Sequence, residues 1–262
     1  MSNQPHAGTD AGSTASREEL IRLEGVSKVY AKSKEPVVAL NEVDLIVRRR
    51  EFVSIMGPSG SGKSTLLSIL GLLDRPTSGV YTLEGVDLTG LKDRELARIR
   101  RDHFGFIFQH YNLFPELTAL ENVEVPMIYA GVPARDRRRR AKELLEQVGL
   151  GHRLGHRPSE MSGGEQQRTA IARALANSPT ILFADEPTGN LPTEQGQQVM
   201  QALKELNEYG MTVLVVTHDP GIALWSQRLL TLRDGRVVSD EPTASSRVLK
   251  TQAALWTGND PS

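Results

Sequence analysis

Eight consecutive residues, Gly57-Pro58-Ser59-Gly60-Ser61-Gly62-Lys63-Ser64, are of the types needed to hold a chain of phosphates. The pattern is a glycine-rich loop closed by Lys-Ser, set between a strand-like stretch and a helical one. Glycines let main-chain N–H groups curl around an anion without Cβ clashes. Those N–H groups, with the N-terminus of the helix that follows, stabilise negative charge. Lys63 can reach β- and γ-phosphates, Ser64 can offer its hydroxyl to Mg²⁺, and Thr65 stands next to them at the helix start. A glycine-rich turn that binds nothing does not explain Lys63-Ser64 at that place. By itself the loop specifies a nucleotide and no reaction, since kinases and GTPases share it.

Two further clusters narrow the chemistry. Ile181-Leu182-Phe183-Ala184-Asp185-Glu186 is an apolar strand ending in adjacent carboxylates. Ligands of parallel sheets bind at the carboxyl ends of strands. Asp185 is placed there to orient Mg²⁺ through bound water, and Glu186 to polarise an attacking water. A second acid directly after the first favours hydrolysis over transfer to a substrate hydroxyl. Met161-Ser162-Gly163-Gly164-Glu165-Gln166-Gln167-Arg168 opens a helix, and its serine and glycines expose N–H groups at a positive helix end. Standing alone, that segment reads as an N-cap.

The elements that must position these groups follow from periodicity. Ile21–Tyr30 and Val37–Val47 alternate like strands of an antiparallel layer. Glu51–Met56 reads as a buried strand, and the helix after the phosphate loop has Leu66, Leu67, Leu70 and Leu73 on its apolar face. Val80–Leu88 returns to strand alternation. From about Asp93 to Leu150 charged helical patterns dominate, including Ala134–Val148 with Gly149 as its stop. Arg48-Arg49-Arg50 reads as a solvated turn, and Arg137–Arg140 as a solvated helix face without the aromatic interleaving of a nucleic-acid patch. Glu165–Asn177 and Glu194–Tyr209 are helices; Thr180–Ala184 and Met211–Thr217 are buried strands. Such runs separated by helices predict a parallel sheet covered on both faces. Arg228–Leu232 and Arg236–Val238 flank Asp234-Gly235 as a closing hairpin.

Composition adds boundaries. The chain has 262 residues with 31 basic and 32 acidic side chains, a net charge of -1, so charge balance gives no pull toward nucleic acid. It has no cysteine, which removes disulfides and thiolate chemistry. No apolar run is long enough to cross a bilayer. Residues 1–17 are expected to be a disordered lead-in, 18–240 an ATPase domain with a helical subdomain at about 93–165, and 241–262 a polar tail.

Beside the phosphate loop and the acidic strand end, Met161–Arg168 closely resembles the signature motif of ABC-type ATPases, with Met161 where leucine is usual. The resemblance covers roughly Leu20 to Val238. It implies an α/β fold: a P-loop NTPase core of ABC type with an antiparallel β layer and a helical subdomain. It implies that Ser162, Gly163, Gly164 and Glu165 of one subunit cover the γ-phosphate held by another, in a head-to-tail dimer. It assigns Tyr30 to stacking on adenine, Gln109 to Mg²⁺ and the attacking water, and His218 to the γ-phosphate. ATP and Mg²⁺ are the implied ligands. The implied partners are a second ATP-binding subunit and an integral membrane permease, not a nucleic acid. The implied location is the cytoplasmic face of the inner membrane.

Narrower stretches look like the lipoprotein-release and macrolide-efflux group: Gly71–Gly79, Asn112–Val123 and Asp185–Leu191. Leu113, Phe114 and Leu117 are expected to be exposed and to dock the permease. Pro192 stands where the family usually has an aspartate that links the two nucleotide sites, and proline offers neither a side-chain acceptor nor an N–H. The leading expectation is therefore transport-coupled ATP hydrolysis. One rival is a nucleotide-dependent tether in a cell-envelope complex. Another is a soluble ABC ATPase acting on ribosomes or DNA, which usually carries two cassettes or a long coiled-coil insertion.

Overall fold

A computed structural model describes residues 18–31 and 36–246. The expected lead-in, and the tail from residue 247, lie outside the described residues. Among those described, two sheets form. An antiparallel layer contains β1 (Glu19–Tyr30), β2 (Val37–Arg48), β4 (Ser78–Leu83) and β5 (Val86–Asp87), in the order β2-β1-β4-β5. The core sheet contains β3 (Phe52–Met56), β6 (Phe104–Phe108), β7 (Ile181–Asp185), β8 (Thr212–Val216), β9 (Arg228–Arg233) and β10 (Arg236–Pro242). Its order is β10-β9-β3-β8-β7-β6, parallel except for the β9-β10 hairpin.

The central strands β3, β7 and β8 are buried and mostly apolar because both faces are covered, as the sequence predicts. Leu214 and Val216 of β8, with Ile181 and Phe183 of β7, pack toward the antiparallel layer and α1 (Lys63–Leu70). Val213, Val215, Leu182 and Ala184 face the other way. That second core holds α3 (Ala119–Tyr129), α4 (Ala134–Gln147), α5 (Gly163–Ala174) and α6 (Thr193–Glu208). Gly149 follows α4 with φ 75, the left-handed stop expected of a glycine.

The structure changes two expectations. The stretch from residue 93 is not all helical insertion: after α2 (Asp93–His103) the chain forms β6, which pairs with β7 in the core sheet. The helical part proper begins beyond Phe108. Leu73 is not on the buried face of α1. That helix ends at Leu70, Leu72 turns to φ 55, and Leu73 is left 49% exposed.

Registry explains how distant motifs meet. Ile55 and Asp185 both pair with Val216, and Phe108 pairs with Asp185. The strands β3, β6, β7 and β8 therefore end in one layer. The phosphate loop, Gln109, Glu186 and His218 all leave the sheet at that same carboxyl edge.

Candidate active site

The phosphate loop owes its shape to its glycines. Gly62 caps α1 at φ 101, and a Cβ there would strike the Ala39 carbonyl; a Cβ on Gly57 would strike that of Leu232. Only glycine permits these approaches. Lys63 Nζ donates to the carbonyl oxygens of Gly57 and Pro58, each at 2.8 Å. Two of its three protons thus brace the loop, and the third is left for a phosphate.

A cleft of about 390 Å³ opens beside the loop. Ser59, Gly60, Gly62, Lys63, Ser64 and Thr65 form one wall, and Asp185, Glu186, Val216 and His218 another. Val37, Val38 and Ala39 of β2 complete it, with Val37 and Val38 more than half exposed. Sequence alternation placed those valines on a strand but gave no sign that they face a ligand. A larger hollow of about 840 Å³ lies elsewhere and contains no part of the phosphate loop, so the chemistry belongs to the smaller cleft.

The two carboxylates differ. Burial raises the pKa of Asp185 above the ordinary aspartate value, and the neighbouring charge of Glu186 adds to this while Lys63 opposes it. A cation would relieve that carboxylate. With the hydroxyl of Ser64 exposed in the same cleft, the donors are hard oxygens of the kind Mg²⁺ takes. No cluster of three or more His, Cys, Asp or Glu that could cage a metal occurs among the described residues. A cation held by few protein groups plus phosphates fits this set. Glu186 has φ 44, in the left-handed region. Its N–H donates to Val216 O at 2.9 Å. Its Oε1 accepts from His218 Nδ1 at 2.7 Å and its Oε2 from Thr217 Oγ1 at 3.2 Å. The sequence marks Glu186 and His218 separately; their direct bond and the part of Thr217 follow from no spacing rule and are visible only in the fold.

Other expected residues stand apart from the cleft. Tyr30 is not among its lining residues: the hydroxyl donates to Asp74 Oδ2 at 2.9 Å, and Lys28 Nζ lies 4.9 Å from the ring centroid. Gln109 packs against Gly189, and its carbonyl accepts from Asn190 Nδ2 at 2.9 Å. Ser162 caps α5 in a reciprocal box with Glu165: the Glu165 N–H donates to Ser162 Oγ and the Ser162 N–H to Glu165 Oε2. Arg153 holds that glutamate from the other side at 2.9 Å. None of residues 162–165 lines the cleft, so within one chain these N–H groups and the phosphate loop form separate surfaces.

The segment after Gln109 also differs from expectation. Leu113 and Leu117 are half-buried, not exposed; only Phe114 is presented, at 48% exposure. Buried Asn122 is the cause. Its side chain bonds the main chain of Phe114 in both directions and also donates to the carbonyls of Leu117 and Thr118, folding the segment back on α3.

The ABC transporter family profile matches residues 40–189. A protein from Thermotoga maritima described as an uncharacterized ABC transporter ATP-binding protein is 54% identical, over 84% of this chain and 94% of its own length. A macrolide export ATP-binding/permease protein MacB 1/2 of Paracoccus denitrificans is 52% identical over 86% of this chain, which spans only 34% of it. The ATP-binding cassette MJ0796, solved as a dimer in a post-hydrolysis state bound to ADP and Pi, superposes with a TM-score of 0.80 at 48% identity, over 86% of this chain and 99% of that one.

Proposed function

The chain belongs to the ABC transporter family and is an ATP-binding, ATP-hydrolysing cassette, and from that premise we propose that it powers a separate membrane permease of the export type. The observation that carries the mechanism is the common register of β3, β7 and β8, which gathers Lys63, Asp185, Glu186 and His218 around one cleft. In this reading the loop amides and Lys63 stabilise the charge that develops on the transferring phosphoryl group. Ser64 and Asp185 would hold Mg²⁺, which neutralises phosphate charge when bound. Glu186 takes the proton of the attacking water, and His218 and Thr217 hold its carboxylate in place. Ser162, Gly163, Gly164 and Glu165, which do not line their own cleft, cover the nucleotide of a second copy. Tyr30 stacks on adenine through its ring face, which the bond of its hydroxyl to Asp74 leaves free. Gln109 reaches the water and Mg²⁺ only by leaving Gly189.

The larger hollow fits the permease. It lies between α2, β6 and α3, and it gathers exposed Phe114, Tyr129 and Leu73 with Phe106 and Phe108. Exposed apolar groups collected in one groove mark an interaction surface. Five arginines and no acid line it, and Arg94 makes no ion pair among the described residues. A permease segment with an apolar face and a carboxylate complements that wall. Phe114→Glu is expected to lower capture of permease from solubilised membranes about tenfold, with basal ATP turnover of the isolated chain unchanged. Undiminished capture would remove the groove from the proposal. An attachment of this kind would hold the chain peripherally at the cytoplasmic face of the inner membrane; no helix among the described residues is long and apolar enough to cross one.

Pro192 offers a second test. It caps α6 at φ −56 and ψ 149 without a side-chain cap, its carbonyl accepting from Gly196 N at 2.9 Å. Pro192→Asp gains a cap worth roughly 0.5–2 kcal/mol and loses a restriction of the unfolded chain worth about 0.4–1 kcal/mol. Stability should therefore barely move, so a change in ATPase cooperativity reports the link between sites. The expected result is a higher Hill coefficient for ATP. An unchanged rate and coefficient would make Pro192 a neutral variation.

A further inference from the structure

Gln167 lies in the second turn of α5 and is fully buried. Its Nε2 donates to the carbonyl oxygen of Pro187 at 2.6 Å, while its Oε1 has no hydrogen-bond partner among the described residues. A buried amide with one end unsatisfied is a poor way to fill a core, because methionine of similar length carries no polar atom to desolvate. Its neighbours on the helix, Ala170, Ile171 and Ala174, are the apolar residues such a core calls for. The amide must therefore be explained by what it holds.

It holds the main chain one residue beyond Glu186, at the Pro187 carbonyl. A left-handed φ at a glutamate persists only where the surroundings enforce it. On the amino side the Glu186 N–H is fixed to Val216 of β8. On the carboxyl side the next main-chain oxygen, that of Pro187, is fixed by Gln167. Beyond it, turns closed by Gly189 N to Glu186 O and Leu191 N to Thr188 O lead to the segment containing Pro192. We infer that Gln167 is a positioning residue for hydrolysis: through the Pro187 carbonyl it sets the backbone that aims the Glu186 carboxylate, and it ties that carboxylate to the helix whose N-terminus carries Ser162. The inference rests on the role proposed for Glu186. Gln167 touches no reacting atom; it acts by fixing where the general base points.

The test uses the full chain with two substitutions. Gln167→Met keeps size and removes the donor. It should melt within a few degrees of the natural chain and bind ATP within about twofold, with an unchanged KM, while kcat falls about tenfold. Gln167→Glu gives a pH signature. A buried carboxyl is protonated to higher pH than usual, and only its protonated form can donate to Pro187 O. Its kcat should therefore recover toward the natural value as pH is lowered, whereas Gln167→Met shows no such recovery. In a Glu186→Gln background, Gln167→Met should cost nothing further, because the base it aims is gone. An unchanged kcat in Gln167→Met, or a loss of kcat that tracks lost melting temperature or lost ATP affinity, would overturn the inference. If Glu186→Gln itself keeps its activity, the failure lies in the assignment of the base; if Glu186→Gln is inactive and Gln167→Met is not, it lies here.

Discussion

Glu186→Gln is expected to cut ATP turnover by roughly 10²–10⁴-fold, the usual contribution of a general base, while ATP binding is retained. The geometry supports the separation. Glutamine has the same shape, so Thr217 can still donate to its oxygen, and its amide can donate to His218 Nδ1 once that ring carries its proton on Nε2. The left-handed turn and the bond from its N–H to Val216 do not depend on the carboxylate. What disappears is the proton acceptor. A second consequence follows from charge. Glu186 raises the pKa of Asp185, so removing it makes the aspartate a better anion for a cation and its phosphates. If binding closes the dimer and hydrolysis opens it, this variant should accumulate as a dimer in ATP, visible by gel filtration, where the natural chain cycles. Turnover within about threefold of the natural chain would remove Glu186 from the mechanism. The same substitution separates an engine from a tether in cells: an engine stops, and a tether that needs only bound nucleotide continues.

The sequence made the phosphate loop legible because its chemistry is local. Glycines, lysine and serine act within one turn of chain, so type and spacing carry the information. The same holds for Ser162 and Glu165, whose capping box closes over three residues. β6 was harder to read. Its five residues lie between a charged helix and an irregular segment, and their place in the core sheet is set by pairing with β7, more than seventy residues away in sequence. Relationships across the fold left no trace in periodicity. The Glu186–His218 bond and the Gln167–Pro187 bond form only once the core strands are in register, and the stapling of Phe114 by Asn122 only once α3 has formed. Leu113 and Leu117 show the limit from the other side. Their apolar character predicts exposure for a partner, but a buried asparagine turns their segment inward. Tyr30 shows it again: its type marks a ring for stacking, while the bond of its hydroxyl to Asp74 is visible only in the fold.

Mixing two inactive variants should restore activity, and the amount restored measures how the sites communicate. Lys63→Ala removes the ammonium that braces the phosphate loop through Gly57 and Pro58, and both sites of its homodimer fail. Ser162→Arg puts a bulky cation where the signature should meet a partner's phosphate. Ser162 suits this use because it is exposed, whereas a side chain on Gly163 would strike Tyr111 and one on Gly164 would strike Gln195. Loss of its cap costs about 1 kcal/mol, too little to unfold a domain of this size. In a two-fold dimer each site takes its phosphate loop from one chain and its signature from the other. Random mixing makes about half of the dimers mixed, and each mixed dimer has one site with both defects and one with neither, so about a quarter of all sites are intact. Sites that work independently should then give about a quarter of natural turnover. Sites that must act together should give far less. Pro192, which lacks the side-chain acceptor that family resemblance assigns to this link, predicts the independent outcome. Introducing Pro192→Asp into both chains should pull the recovery below that level. No recovery from any mixture would contradict independent sites shared between two copies; recovery to about a quarter that Pro192→Asp leaves unchanged would keep the sharing intact and deny the residue its part in coupling.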